Sequence, residues 1–220
     1  MIDAFPQADI VTAFGQTECS PVTCLLRGED AIRKIGSIGR PIVNVEARIV
    51  DDAMNDVPRG TVGEIVYRGP LVMSGYWDKP EETAEAFRGG WFHSGDLVRE
   101  DEDGYLFVVD RVKDMIISGG ENIYCAEVEN VLAAHPKIAE VALIGVPDAK
   151  YGEAPLAVVV ARDPADPPVA ADVEAFCRER LAAYKRPRSV VLVDVLPRNP
   201  SGKVLKTRLR EDHGGAACPT

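Results

Sequence analysis

The sequence of 220 residues predicts a mixed α/β (α+β) chain built in two parts. Three observations carry this expectation. Short runs in which apolar and polar residues alternate, separated by turn residues, fill about residues 35–110 and read as β-rich. From about residue 115 onward, strand-like runs alternate with apolar residues at helical spacing, the pattern of a small α/β unit. Between them lies Arg111-Val112-Lys113-Asp114, a short charged stretch where one pattern gives way to the other.

The elements follow in order. Asp9 to Ala13 reads as a short strand entering a turn at Gly15, and Ile35 to Pro41 is turn-rich. Val45, Ala47 and Ile49 alternate with polar residues as in a half-buried strand. Pro58-Arg59-Gly60 is a turn and Gly63 to Tyr67 a strand. Pro80 opens a helix over Glu81 to Phe87, at a position where a missing N–H does no harm. Leu97-Val98, Asp103-Gly104 and Tyr105 to Val109 suggest a hairpin. Beyond the charged stretch come a strand at Met115-Ile116-Ile117, a Gly119-Gly120 loop, and a helix marked by Val128, Val131 and Leu132 that ends before Pro136. Val141 to Ile144 and Leu156 to Ala161 read as strands, and Asp163 to Pro168 as a connector. Val173, Phe176, Cys177 and Leu181 mark one face of a second helix, and Val190 to Val193 is the last strand. The parts are 1–110, a linking segment 111–114, 115–212, and a loose tail 213–220.

Composition narrows the function classes. There are 25 basic against 35 acidic residues, a formal net charge of -10, which argues against nucleic acid or an anionic membrane as the main partner. Five cysteines with no C-x-x-C pair argue against a disulfide framework and fit a reducing, cytoplasmic compartment. The start has no basic and apolar signal pattern, and no apolar run reaches the length of a membrane span.

Several polar motifs carry chemistry. Phe14-Gly15-Gln16-Thr17-Glu18 places a ring able to stack on a purine, a hydroxyl able to bond a phosphate oxygen, and a carboxylate able to hold Mg²⁺. Its plain alternative is a strand-to-loop turn with a core phenylalanine. His93-Ser94-Gly95-Asp96 puts a carboxylate after a tight turn, where it can accept two ribose hydroxyls or simply face solvent. His93 reads as a loop hydrogen-bonding residue. Arg111 offers a planar fork to ribose or phosphate, and the alternative is a charged linker. Gly119-Gly120 leaves its backbone open to a thin ligand, or is an ordinary turn. Asn199-Pro200-Ser201-Gly202-Lys203 presents a lysine on a shaped loop, although a single lysine is by default a surface residue. Lys203, Lys206, Arg208 and Arg210 make the end locally basic, and such runs are mostly solvated faces.

Taken together, and with Gly63-Glu64-Ile65-Val66-Tyr67-Arg68-Gly69, Ile116 to Tyr124 and Tyr184-Lys185-Arg186-Pro187, these motifs resemble the acyl-CoA synthetase branch of the adenylate-forming superfamily. The likeness runs from about Phe5 to Leu209 and covers the family's carboxy-terminal part. It implies the end of a large, β-rich AMP-binding domain followed by a small mobile α/β domain. It implies ATP or AMP, Mg²⁺ and coenzyme A as ligands and a fatty or other lipophilic carboxylic acid as substrate. Phe14 would lie against adenine, Gly15 would also belong to the cofactor site, Thr17 would lie on phosphate and Glu18 on the metal. Asp96 would hold the ribose with help from Arg111. Lys113 would be the hinge, Gly119 and Gly120 would flank the pantetheine, and Lys203 would promote adenylation, with Thr17 and Glu18 also counted as catalytic. The sequence departs from the family at Phe14, usually tyrosine, at Asp110, where glycine is common, and at Cys125, usually proline.

The family's phosphate loop belongs to a region upstream of the matched part. The expectation is therefore a chain inactive alone, with a separate amino-terminal half as one partner and oligomerisation through open strand edges near residues 1–35. The alternative class is a non-catalytic remnant or a nucleotide- or CoA-binding module. A peptide-synthetase adenylation domain fits less well, since no carrier-domain serine motif follows.

Overall fold

The computed structural model describes residues 7–214. The expectations for the signal-free start, Phe5, Cys218 and most of the tail lie outside these residues. The chain divides into two compact units, Met1–Val112 and Lys113–Thr220.

The first unit contains two antiparallel sheets. A three-stranded sheet has the order β1 (Thr12–Phe14), β2 (Cys24–Leu26), β3 (Arg40–Pro41). It lies mostly before the stretch expected to be β-rich. Its strands are two or three residues long, too short to show alternation. A four-stranded meander follows: β4 (Glu46–Val50), β5 (Val62–Arg68), β6 (Phe92–Glu100), β7 (Leu106–Arg111). Central strand β5 buries Ile65, Val66 and Tyr67 in succession, so both of its faces are covered there. The core gathers Ile65, Tyr67, Phe92, Val98 and Leu106 with Cys19, Cys24 and Ile38. Backbone bonds from Ile38 N to Leu106 O and from Leu106 N to Gly39 O, both 2.9 Å, join the two sheets. Helix α1 (Gly28–Ala31) follows β2, and helix α2 (Pro80–Ala86) begins on its proline, as expected.

The second unit is one five-stranded sheet with helices on it. β8 (Ile116–Ser118) and β9 (Glu121–Ile123) form a hairpin closed by Gly119-Gly120, at φ +63° and +86°. Two successive positive φ angles suit the twist of a tight hairpin, and glycine adopts them without strain. β10 (Ile138–Asp148) and β11 (Gly152–Ala161) form a long hairpin, and β12 (Ser189–Leu192) pairs with β11 in parallel. β11 buries Ala154 to Val159 without a break, as a strand covered on both faces must. One core cluster brings Val128 and Leu132 of α3 (Cys125–Ala133) and Val173 and Cys177 of α4 (Ala170–Arg178) together with Leu143, Ala157 and Val159. The other joins Ile144, Leu156 and Val158 to Leu196 and to Leu209 of α5 (Lys206–His213).

Three expectations need correction. His93-Ser94-Gly95-Asp96 is not a loop after a tight turn but lies inside strand β6. The basic end expected to be a solvated face is instead helix α5, which takes in His213, expected in the tail. Leu181 lies beyond α4, although its side chain does join the core.

Candidate functional site

In the first unit the candidate side chains sit on β6, β7 and the turn after β1. Glu64 pairs with Leu97 and Val66 with His93, so Ser94, Gly95 and Asp96 all stand opposite the single Ile65. This bulge is what the motif encodes. Gly95 has φ +72°, a conformation that favours glycine, and the kink re-aims the residues around it. The bulge is stapled on both sides. Glu64 Oε1 accepts the Gly95 N–H at 2.9 Å, and Glu64 Oε2 lies 2.7 Å from His93 Nδ1. Ser94 Oγ donates to the Ile65 carbonyl and accepts the Asp96 N–H. His93 is thus a bonding residue, as expected, but of a strand.

Asp96 is buried, with only 6% of its side chain accessible. Arg111, its neighbour across the β6–β7 ladder, places Nε 3.1 Å from Asp96 Oδ1. A carboxylate removed from water needs such a partner, and a second set of hydroxyl donors would suit it equally.

Glu18 is half-buried on a short 3-10 turn, Thr17–Cys19. Tyr76 Oη donates to Glu18 Oε1 at 3.1 Å, and the Met73 N–H bonds the Glu18 carbonyl at 2.8 Å. The Glu18 carboxylate fits a Mg²⁺ ion, because that ion is commonly held by one or two protein carboxylates together with substrate phosphates. Among the described residues, no group of three or more His, Cys, Asp and Glu is placed to hold a metal by itself. Thr17 is exposed. Phe14 is half-buried and packs against the core, and its carbonyl accepts the Thr23 N–H at 2.8 Å. Gly15 has a packing reason of its own: a Cβ there would stand 2.0 Å from the Pro21 carbonyl oxygen.

Lys113, Gly119, Gly120 and Lys203 belong to the second unit. The Gly119 N–H donates to the Tyr151 carbonyl at 2.8 Å, and the Tyr151 ring lies close over Gly119. The Arg188 guanidinium covers that ring at 3.8 Å. Lys203 stands exposed on a turn built by Asn199. Asn199 Oδ1 accepts the Ser201 N–H at 3.1 Å, the Ser201 hydroxyl at 2.8 Å and the Lys203 N–H at 2.8 Å. Gly202 at φ +86° completes the turn, and Arg198 Nη1 bonds its carbonyl at 2.6 Å. A proline–serine–glycine turn is thereby made rigid up to the lysine's own backbone.

Sequence reasoning missed several supporting groups. Glu64 and Asn199 lie inside motifs whose pattern gives them no role of their own. Lys206 and Arg210 do not face solvent freely. Lys206 Nζ lies 2.8 Å from Glu129 Oε1, with 14% of its side chain accessible. Burial works against its charge, but the neighbouring Cys125, Glu129 and Asp114 outweigh that and hold its pKa above the ordinary lysine value.

Comparisons with known proteins agree with the family resemblance. The family described as AMP-binding enzyme matches residues 1–77, and that described as AMP-binding enzyme C-terminal domain matches residues 127–203. A feruloyl-CoA synthase of Amycolatopsis is 50% identical over 206 residues, which is 93% of this chain and 41% of that protein. The long-chain-fatty-acid–CoA ligase FadD13 of Mycobacterium tuberculosis is 43% identical, over 96% of this chain and 42% of that one. The structure of an O-succinylbenzoate coenzyme A synthetase of Bacillus subtilis with ATP and magnesium superimposes with a TM-score of 0.81. It is 39% identical, covering 92% of this chain and 41% of the other. The chain belongs to the adenylate-forming, AMP-binding enzyme family, in its acyl-CoA synthetase branch, and corresponds to the carboxy-terminal part of its members. It spans about two fifths of the length of these relatives.

Proposed function

We propose that these residues are the carboxy-terminal part of an ATP-dependent acyl-CoA ligase acting on a fatty or other lipophilic carboxylic acid. The buried Asp96–Arg111 pair on its stapled bulge is the observation that carries this reading. Asp96 accepts the two ribose hydroxyls, and Arg111 orients its carboxylate and reaches ribose or phosphate oxygens. Phe14 and Gly15 border adenine, and Thr17 bonds a phosphate oxygen. Glu18 holds Mg²⁺, which neutralises phosphate charge when bound.

In the first half-reaction an oxygen of the substrate carboxylate attacks the α-phosphorus of ATP, and the bond to pyrophosphate breaks. Lys203 Nζ stabilises the charge that builds on the phosphate oxygens. In the second, the coenzyme A sulfur attacks the acyl carbon, the thiol proton is lost, and AMP leaves. Turning about Lys113 exchanges Lys203 for the Gly119-Gly120 turn between the two steps. A relative from this branch acts on ferulate and another on long-chain fatty acids, judging by their names, which supports a lipophilic acid here.

We further propose that the chain does not turn over alone. Val11, Ile32, Ile35 and Val43 are exposed in the first unit, Val43 at 84% and Ile35 at 76%, which supports docking of a separate amino-terminal half. Calorimetry tests the ribose reading. AMP should bind the isolated chain, and Asp96→Asn should weaken that binding. Absence of AMP binding by the wild-type chain would leave the binding-module reading without support as well. ATP–pyrophosphate exchange should appear only when a chain carrying the phosphate loop is added, and exchange by the 220-residue chain alone refutes its inactivity.

A further inference from the structure

Two backbone anchors bracket the junction between the units. On the amino side, the Val112 N–H donates to the Gly95 carbonyl at 2.9 Å, within the first unit. Gly95 is itself held by Glu64. On the carboxyl side, Arg210 Nη2 donates to the Lys113 carbonyl at 3.1 Å and to Asp114 Oδ1 at 3.3 Å, within the second unit. Asp114 is buried, and its own carbonyl accepts the Cys125 thiol at 2.9 Å.

Arg210 is carried by α5, which starts three residues after Lys203 and is seated by Leu209 in the core and by the Lys206–Glu129 ion pair. Upstream, the Leu205 N–H bonds the Pro197 carbonyl at 2.8 Å, closing the Lys203 turn onto the start of the helix.

We propose that Arg210 is a positioning residue. It fastens the carboxyl side of the Lys113 pivot to α5, confines the pivot to Val112 and Lys113, and makes the Lys203 turn move with it as one piece. This rests on the reading of Lys113 as the pivot. A peptide plane is rigid, so fixing the Val112 N–H and the Lys113 carbonyl leaves only the backbone dihedrals of those two residues free. A short pivot with few states lets a rotation deliver one lysine to one place.

Two measurements on the 220-residue chain test the proposal. Residual dipolar couplings, fitted separately to residues 7–112 and 113–214, report whether the units reorient. Trypsin cleavage after Lys113, referred to cleavage after exposed Lys150, reports the anchor, because the scissile carbonyl is the one that Arg210 holds. In the wild type the two alignment tensors should differ, and cleavage after Lys113 should be slow. Arg210→Ala should raise that cleavage roughly tenfold relative to Lys150, as loss of a charge-assisted hydrogen bond implies, and separate the tensors further.

Coincident tensors in the wild type would overturn the pivot and the proposal with it. Distinct tensors with unchanged relative cleavage in Arg210→Ala would overturn the proposal alone. Should Arg210→Ala fail to fold, Arg210→Lys keeps the charge but loses the fork, and the same comparison applies with a smaller rise expected. No rise in that variant counts against the anchor.

Discussion

Arg111 and Asp96 face each other across the β6–β7 ladder with guanidinium Nε 3.1 Å from the carboxylate. The strand register sets this pair, so the carboxylate is oriented before any ligand arrives. Replacing Asp96 by Asn keeps the shape and removes the charge. AMP affinity should fall by about 2–3 kcal/mol, or roughly 30- to 150-fold, the usual worth of hydrogen bonds to a charged acceptor. Titration calorimetry of the two proteins checks it, and equal affinities would remove Asp96 from the site.

Asn199 builds the turn under Lys203 through three bonds to one side-chain oxygen. Asn199→Ala should speed amide exchange at Ser201 and Lys203 by about fivefold, corresponding to about 1 kcal/mol of lost turn order. Lys203→Ala should change these amides less than Asn199→Ala does, because the bond from Asn199 Oδ1 to Lys203 is made to its backbone N–H. Hydrogen exchange followed by NMR separates the residue that shapes the turn from the residue the turn presents.

Gly119 and Gly120 both have positive φ, but a Cβ at Gly119 would meet the Tyr151 ring at 2.9 Å, whereas nothing lies within 4 Å of one at Gly120. Gly120→Ala should cost about 1 kcal/mol from backbone strain. Gly119→Ala should cost clearly more, because the ring is backed by Arg188. Urea denaturation of the two variants measures the difference, and equal costs would mean that the ring yields freely.

His135 is buried and stacks edge-on to Phe176 at 4.8 Å. Burial pushes its pKa below the ordinary 6.5, with Asp172 opposing and Lys137 adding to the shift. The unfolded chain therefore binds the proton more readily than the folded one. Stability from neutral His135 is fully present above the unfolded value of 6.5 and is lost as pH falls through the folded pKa. His135→Gln should flatten the stability profile below pH 6.5, as thermal melts across pH would record.

Much of the fold could be read from the chain, for identifiable reasons. β10 and β11 carry long apolar runs, α3 and α4 show apolar residues at helical spacing, and Pro80 marks a helix start. Helix α5 was not legible because Leu209 is its one buried residue, and one apolar side chain has no period. Its charges looked solvated because Glu129 and Asp114, their partners, lie far away in sequence. The bulge in β6 was read as a turn because Gly-Asp favours turns, and only pairing with β5 shows that the strand continues through it. The candidate residues themselves were legible as motifs. Their supports, Glu64 and Asn199, were not, since a hydrogen bond to a backbone amide leaves no pattern in a sequence.

The bond from Arg210 to the Lys113 carbonyl spans 97 positions, joining the last described helix to the first residue of its unit. During synthesis that bond and the Leu209 seat can form only once α5 itself has emerged from the ribosome. Nascent chains halted before α5 should therefore be captured by chaperones or digested by proteases.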